Sequence, residues 1–200
     1  MQTVQKGMLI IVSGPSGVGK GTLVSRLLEE DKTCCFSVSC TTRNPREGEI
    51  PDVHYHYISR EEFDRRVQLD AFLEHATVHG NSYGTLKSEV EAMIQDGKNV
   101  VLDIDPQGAR MVKGQRPDAV SIFILPPSFT ELRKRLEGRH TETPEEVERR
   151  FHNARGEIAQ MHLYDYLIIN DQLDEAYELL RSIVEAEKHR SAHYCPVIPE

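Results

Sequence analysis

Gly14-Pro15-Ser16-Gly17-Val18-Gly19-Lys20 follows an apolar run, Met8-Leu9-Ile10-Ile11-Val12, and precedes a helical pattern that begins near Gly21. Strand, glycine-rich turn and helix in that order form the setting of a phosphate-binding loop. Three glycines let the backbone curl tightly enough to point successive N–H groups inward. The following helix adds its positive N-terminal end, and Lys20 brings a full charge to the β- and γ-phosphates. The stretch from Gly14 through Gly21 and Thr22 therefore reads as a nucleoside triphosphate site. One position departs from the general pattern. Gly21 stands where a Ser or Thr hydroxyl usually ligates Mg²⁺, and the first hydroxyl is that of Thr22. The ion is expected to arrive with the triphosphate, held mainly by phosphates and water, and no protein metal ligand is assigned.

Outward from the loop, strand and helix patterns alternate, which predicts an α/β fold with a parallel sheet flanked by helices on both faces. Apolar runs at residues 8–12, 99–104, 119–125 and 166–169 read as buried strands, with the shorter Phe36-Ser37-Val38-Ser39 as a fifth. Ser59 with Glu62, Ser128 with Glu131, and Thr143-Pro144 with Glu146 match the capping box that opens a helix. A helix near 86–96 places Leu86, Val90, Met93 and Ile94 on one face and stops at Gly97. The last helix repeats Leu173, Ala176, Leu179, Leu180, Ile183 and Val184 on a core-facing stripe. Residues of about 35–96 break the alternation: His54-Tyr55-His56-Tyr57-Ile58, Phe72-Leu73-Glu74 and Gly80-Asn81-Ser82-Tyr83-Gly84 predict short strands and turns of an inserted mixed subdomain. The charged stretch of about 138–156 reads as a mobile helical lid. The core of this single domain is then about 1–34, 97–137 and 157–190, with 191–200 as a frayed tail.

Composition narrows the partners. A chain of 200 residues, 38% hydrophobic and 28% charged, has room for one core with a modest insertion. Its formal charge of −8 argues against a general nucleic-acid binder or a binder of anionic membranes. Anion binding must be local, and arginines cluster at Arg43 and Arg46 and again at Arg133, Arg135, Arg139, Arg149 and Arg150. No apolar run approaches the roughly 20 residues of a membrane span, and the N-terminus has no signal architecture, so a cytoplasmic protein is expected. Cys34, Cys35, Cys40 and Cys195 lack paired metal-ligand spacing and suit reduced thiols. His54 and His56 alternate on an expected strand and share a face, but no third metal ligand accompanies them, and an exposed strand face accounts for both.

Specific blocks follow the loop in order: Phe36-Ser37-Val38-Ser39-Cys40-Thr41-Thr42-Arg43-Asn44-Pro45-Arg46-Glu47-Gly48-Glu49, Tyr55, Phe72-Leu73-Glu74, Gly80-Asn81-Ser82-Tyr83-Gly84, Leu102-Asp103-Ile104-Asp105, Arg135-Leu136-Glu137-Gly138-Arg139 and Ile169-Asn170-Asp171. With the phosphate loop they resemble guanylate kinase over about residues 8–185. The resemblance implies a P-loop kinase core, a GMP-binding subdomain and a closing lid, with γ-phosphoryl transfer from ATP to GMP and dGMP. It implies that Arg43 and Arg46 grip the GMP phosphate, with hydroxyl bonds from Tyr55 and Tyr83, and that Ser39, Glu74, Gly84, Thr85 and Asp103 belong to the GMP site. By the same resemblance Lys20, Arg46, Arg139 and Arg150 are the catalytic set, and Asn170 lies where the ATP base packs. The chemistry of the base agrees with Glu74. Guanine presents N1–H and N2–H₂ donors on one edge to a carboxylate, whereas adenine offers an acceptor at N1, a difference that rejects the wrong ligand by about 10⁴-fold. A second reading is a protein-binding module, because kinase-like domains of membrane-associated scaffold proteins resemble the enzyme. Lys20, Arg46, Arg139 and Arg150, all retained here, favour the enzyme. A third is a kinase for another nucleotide, against which Glu74 with Ser39 argues.

Overall fold

The computed structural model describes residues 3–78, 80–138 and 143–196, with residues 3–5 as backbone only. Strand β2 (Leu9–Ser13) is buried at every position. It occupies the centre of a five-stranded sheet in the order β10–β9–β2–β8–β3, formed with β3 (Cys34–Phe36), β8 (Asn99–Asp103), β9 (Val120–Leu125) and β10 (Tyr166–Ile169). Every pairing in it is parallel. Ile10 and Val12 pack with Leu23 and Leu27 of α1 (Lys20–Glu30) and Tyr177 and Leu180 of α7 (Leu173–Lys188). Leu9 and Ile11 turn to the other face, against Val90 of α3 (Lys87–Gln95) and Ala109 and Val112 of α4 (Pro106–Gln115). Burial on both faces is why the run is continuously apolar rather than alternating, and each of the valine, leucine and isoleucine side chains contributes about 1.5–3 kcal/mol by leaving water.

The fifth strand is Cys34–Phe36 rather than residues 36–39. Its ladder with β8 ends at the pair Phe36 and Val101, and beyond that the chain leaves the sheet edge toward a second sheet. That sheet, in the order β5–β4–β7–β6, contains β4 (Cys40–Thr41), β5 (His56–Tyr57), β6 (Phe72–Val78) and β7 (Asn81–Leu86). It is mixed: β4 and β5 run parallel while the other pairs are antiparallel. Helix α2 (Arg60–Gln68) covers it, with the Phe63 ring stacked 4.7 Å from that of Phe72. His54 therefore lies outside the strand that holds His56, and the two do not form one strand face.

Ser59 and Ser128 accept the backbone N–H of Glu62 and Glu131 to open α2 and α5 (Phe129–Glu137). Their boxes are only half closed, because the Glu62 carboxylate is engaged by Arg65 and Arg66 and that of Glu131 by Arg135. The reciprocal box forms at Thr143 and Glu146, opening α6 (Pro144–Ile158). Helix α6 packs on α5 through Leu132, Leu136, Val147 and Phe151. On α7 the buried stripe is Ala176, Tyr177, Leu180 and Val184, while Leu173 and Leu179 face solvent. Helical spacing puts Tyr177 rather than Leu179 on the inward stripe, and its hydroxyl finds Glu30 at 2.9 Å. The C-terminal segment is not wholly frayed: β11 (Tyr194–Pro196) pairs antiparallel with β1 (Thr3–Gln5), each satisfying the other's backbone groups. Residues 197–200 lie outside the described residues.

Candidate active site

The central position of β2 puts its carboxyl end between β8 and β9, where the strand order reverses and ligands of open α/β sheets bind. The glycine-rich loop starts there. Gly14, Gly17 and Gly19 have φ of +143°, +84° and +93°, which favour glycine. A Cβ on Gly14 would sit 2.4 Å from the Ile124 carbonyl oxygen, so the loop leaves β2 pressed against the backbone of β9. Gly19 caps α1 without a side chain, and no acidic residue stands in the first turn, which leaves the helix end open to an anion. Lys20 Nζ curls back to the Gly14 carbonyl at 2.6 Å. From α6, Arg150 Nη1 reaches Ser16 Oγ at 3.3 Å. Asn170, 5% exposed, supports the loop from beneath: its side-chain amide donates to Val18 O at 2.8 Å, and its main-chain carbonyl accepts from Arg135.

A cleft of ≈ 390 Å³ separates the carboxyl edge of the parallel sheet from the second sheet, and Ser39, Tyr55, Thr85 and Asp103 line it. A larger hollow of ≈ 720 Å³ lies at Val120 and Tyr166, the opposite ends of β9 and β10. Its Lys113 pairs with Asp165 and its Arg190 with Glu187, and it is remote from the loop. On the subdomain side of the cleft, Arg43 lies beside Tyr83 and 5.5 Å from the Tyr55 ring centre. The Tyr55 ring meets those of Tyr57 and Tyr83 edge-on, with centroids 6.0 Å apart in both pairs. Arg43 forms a two-bond fork with Glu49, whose carboxylate also accepts the Arg46 N–H. The Arg46 side chain itself is exposed.

Glu74 is delivered by a bulge. The register of β6 and β7 shifts between the pairs Phe72 with Leu86 and Glu74 with Thr85, so Leu73 is an extra residue. Leu73 enters the core cluster beside α4, and Glu74 is 8% exposed. Its Oε1 accepts the Thr85 hydroxyl at 2.7 Å. Burial pushes the Glu74 carboxyl above its ordinary value, the Thr85 hydroxyl opposes this, and the Asp105 charge adds to it. Gly84 sits close under Phe72, where a Cβ would meet the ring at 2.9 Å.

Asp103, which ends β8, and Asp105, the cap of α4, face different neighbours. Asp103 senses Lys20, and its Oδ2 lies 3.9 Å from where a Cβ on Gly21 would stand. Its surface is open to water, yet the concave walls around it desolvate the carboxyl and raise its pKa against the pull of Lys20. Asp105 faces Glu74 and accepts the Gly108 N–H at 2.7 Å, capping α4. Sequence reasoning named Asp103 and missed Asp105, although a two-residue step at a strand end was the available signal. It also missed Glu157 of α6, whose raised carboxyl, desolvated first and pulled back by Lys20, senses Asp105 as well. No pattern singled it out among the charges of that helix. Arg139 lies outside the described residues.

Comparison with known proteins converges on one family. The profile described as guanylate kinase matches residues 6–187. A guanylate kinase of Clostridium perfringens (strain SM101 / Type A) is 51% identical over 185 residues, 92% of this chain and 86% of its own. That of Symbiobacterium thermophilum is 51% identical over 191 residues, 96% of this chain and 90% of its own. The crystal structure of guanylate kinase from Anaplasma phagocytophilum superposes with a TM-score of 0.74 at 34% identity, covering 96% of this chain and 92% of that one. An SH3-kinase fragment of tight junction protein 3 shares the fold alone, with a TM-score of 0.51 at 12% identity over 95% of this chain and 60% of that one. With a phosphate loop, a buried carboxylate and an arginine–tyrosine cluster in one chain that these relatives match almost end to end, the protein belongs to the guanylate kinase family.

Proposed function

We propose that the chain transfers the γ-phosphoryl group of ATP to GMP and dGMP, with the glycine loop holding the donor and the second sheet holding the acceptor. The observation that carries this reading is Glu74, a buried carboxylate beside the cleft, bonded on one oxygen by Thr85 and still able to accept more. Guanine's N1–H and N2–H₂ supply the donors that burial withholds, so the base relieves a carboxylate that the fold alone leaves under-solvated. Asp105 adds a second acceptor on that side.

The acceptor is a phosphate oxygen already ionised at neutral pH, so the reaction needs no general base. Charge neutralisation and alignment are the work of the site. Arg43 and Arg46 grip the GMP phosphate with Tyr55 and Tyr83, Lys20 follows the moving γ-phosphoryl, and Arg150 reaches it from α6 beside Ser16. Arg139 joins Arg150 in this role by family resemblance. Ser39, Gly84, Thr85 and Asp103 complete the GMP site, and Asn170 holds the donor loop in shape.

Mg²⁺, when bound, neutralises the β- and γ-phosphate charge. Asp103 Oδ2, 3.9 Å from where a Cβ on Gly21 would stand, is a hard oxygen that fits such an ion or its water shell. Because Gly21 stands where a Ser or Thr hydroxyl would follow the lysine, the ion is held mainly by phosphates and water. The test is a coupled ADP-release assay with GMP, dGMP, AMP, CMP and UMP. Turnover is expected with the two guanine nucleotides. Absence of turnover with GMP overturns the reading, and a preference for AMP overturns the role of Glu74.

A further inference from the structure

We propose that Glu49 is a positioning residue for the acceptor phosphate: its carboxylate grips the end of the Arg43 guanidinium so that the side edge, beside Tyr83, is presented to a phosphate monoester. The inference rests on the reading of the cleft as a GMP site and assigns the group that gives that site its shape.

Glu49 Oε1 accepts from Arg43 Nη2 at 2.8 Å and Oε2 from Nη1 at 3.0 Å, an end-on fork. Nη1 also donates to the Asn44 carbonyl at 2.8 Å, so both of its hydrogens are engaged. A guanidinium has five N–H donors. The remaining two, on Nε and the outer side of Nη2, are the parallel side-on pair that matches two oxygens of a phosphate. Tyr83 stands against the same guanidinium, and the Tyr55 ring lies 5.5 Å from its centre. The Tyr83 hydroxyl already bonds this guanidinium, so a phosphate docks on Arg43 beside that hydroxyl and without displacing Glu49.

The same carboxylate organises the neighbours. Oε2 accepts the Arg46 N–H at 2.7 Å and the Tyr57 hydroxyl at 2.8 Å, tying the arginine loop to β5. Arg43 and Glu49 side chains are only 14% and 18% exposed, so water competes weakly for the fork. The bonds from Arg43 and the Arg46 N–H hold the Glu49 carboxyl down to about 2, and the brace stays charged throughout the neutral range.

Coulomb attraction alone makes the opposite prediction. Glu49 is a negative charge beside a site for a dianion, so neutralising it would tighten binding if charge were all that mattered. Positioning requires that Glu49→Gln weaken binding, because the amide turns a donor toward an arginine donor. We expect the dissociation constant for GMP, measured by calorimetry, and the KM for GMP to rise about tenfold or more, with the KM for ATP and the melting temperature little changed. In an Arg43→Gln background, Glu49→Gln should add no further loss, since it acts through that arginine. Tyr57→Phe, which removes one donor to the carboxylate and leaves the fork, should shift GMP affinity in the same direction by less, and serves if Glu49→Gln does not fold. Tighter or unchanged GMP binding, or losses that add across the double variant, overturns the inference. Failure of the wild-type protein to use GMP overturns the underlying reading instead, so the two failures are distinguishable.

Discussion

The donor loop and the acceptor cleft are built on opposite plans. The loop at residues 14–20 is one contiguous stretch whose proposed binding groups are backbone N–H groups, and its shape depends on the absence of side chains at Gly14, Gly17 and Gly19. The acceptor cleft collects side chains from separate segments, and two of the central ones are held by another side chain: Arg43 by Glu49 and Glu74 by Thr85. A backbone site is intolerant of added atoms but indifferent to the base it serves. A side-chain site is chemically selective, and its selectivity depends on second partners that a sequence motif does not advertise.

The largest expected effect breaks the donor half alone. Gly14→Ala forces a side chain onto a backbone at φ +143° and drives its Cβ to within 2.4 Å of the Ile124 carbonyl, a main-chain atom of β9 that cannot swing away. Strain of a few kcal/mol at the loop should lower kcat/KM for ATP by about 100-fold. GMP affinity, measured by calorimetry, should stay within about twofold, because none of the acceptor side chains contacts Gly14. An equal loss of GMP binding would show that the two halves form one cooperative unit.

Glu74→Gln makes the complementary break. It should reduce GMP affinity by about 10- to 100-fold and leave the KM for ATP unchanged, since the amide presents a donor to an edge that has only donors. Stability should move the other way. Burial raises the Glu74 carboxyl above its ordinary 4.5, with Thr85 opposing and Asp105 adding, so the carboxyl costs folding free energy from pH 4.5 upward, in full once the pH exceeds the folded value. The variant is expected to melt at or above the wild-type temperature at pH 7, and that advantage should vanish as the pH falls below 4.5, where the carboxyl is neutral in both states. Melting curves with and without GMP at the two pH values measure both effects. A variant that loses stability and GMP affinity together would make Glu74 a structural rather than a base-selecting residue.

What was legible in the sequence follows the same division. The loop, the four long strands of the parallel sheet and the capping hydroxyls were readable because their signals are local: spacing, apolar runs and one hydroxyl at one helix start. The edge strand starts two residues and ends three residues before the expected 36–39, since an edge position constrains only one side of a strand and Phe36, at 45% exposed, looks apolar enough for a core. The pairing of β1 with β11 was invisible because it joins the two ends of the chain through backbone bonds. In the cleft, Glu74 was readable through a family resemblance, but its delivery by a bulge was not, and Asp105 and Glu157 emerge only when β8 and α6 are brought beside Lys20 and Glu74. Glu49 carries no local pattern at all, and its significance lies in what it touches.

The smallest effect concerns a titration that belongs to the acceptor half. His56 follows Tyr55 and precedes Tyr57, and its ring lies between two carboxylates: Nδ1 is 2.7 Å from Asp52, and Nε2 is 2.9 Å from Glu89 of α3, off the N–H axis. Arg65 and Arg66 of α2 border the same depression. Burial alone would lower the imidazole pKa, but the bond to Asp52 and the nearby Glu89 carboxylate outweigh it and raise the value above 6.5. A raised histidine pKa means that the folded state holds the proton more tightly. The stabilisation is therefore complete below pH 6.5 and is lost as the pH climbs through the folded value. The melting-temperature difference between wild type and His56→Gln should accordingly be largest at about pH 6 and shrink by about pH 9. Because the ring ties the tyrosine segment to α3, the KM for GMP of the wild type relative to the variant should drift over the same interval while the KM for ATP does not. A difference in melting that is flat with pH would mean that His56 is neutral at both ends of the range. A parallel drift in the ATP constant would mean that the acceptor segment and the donor loop are coupled through the sheet edge they share.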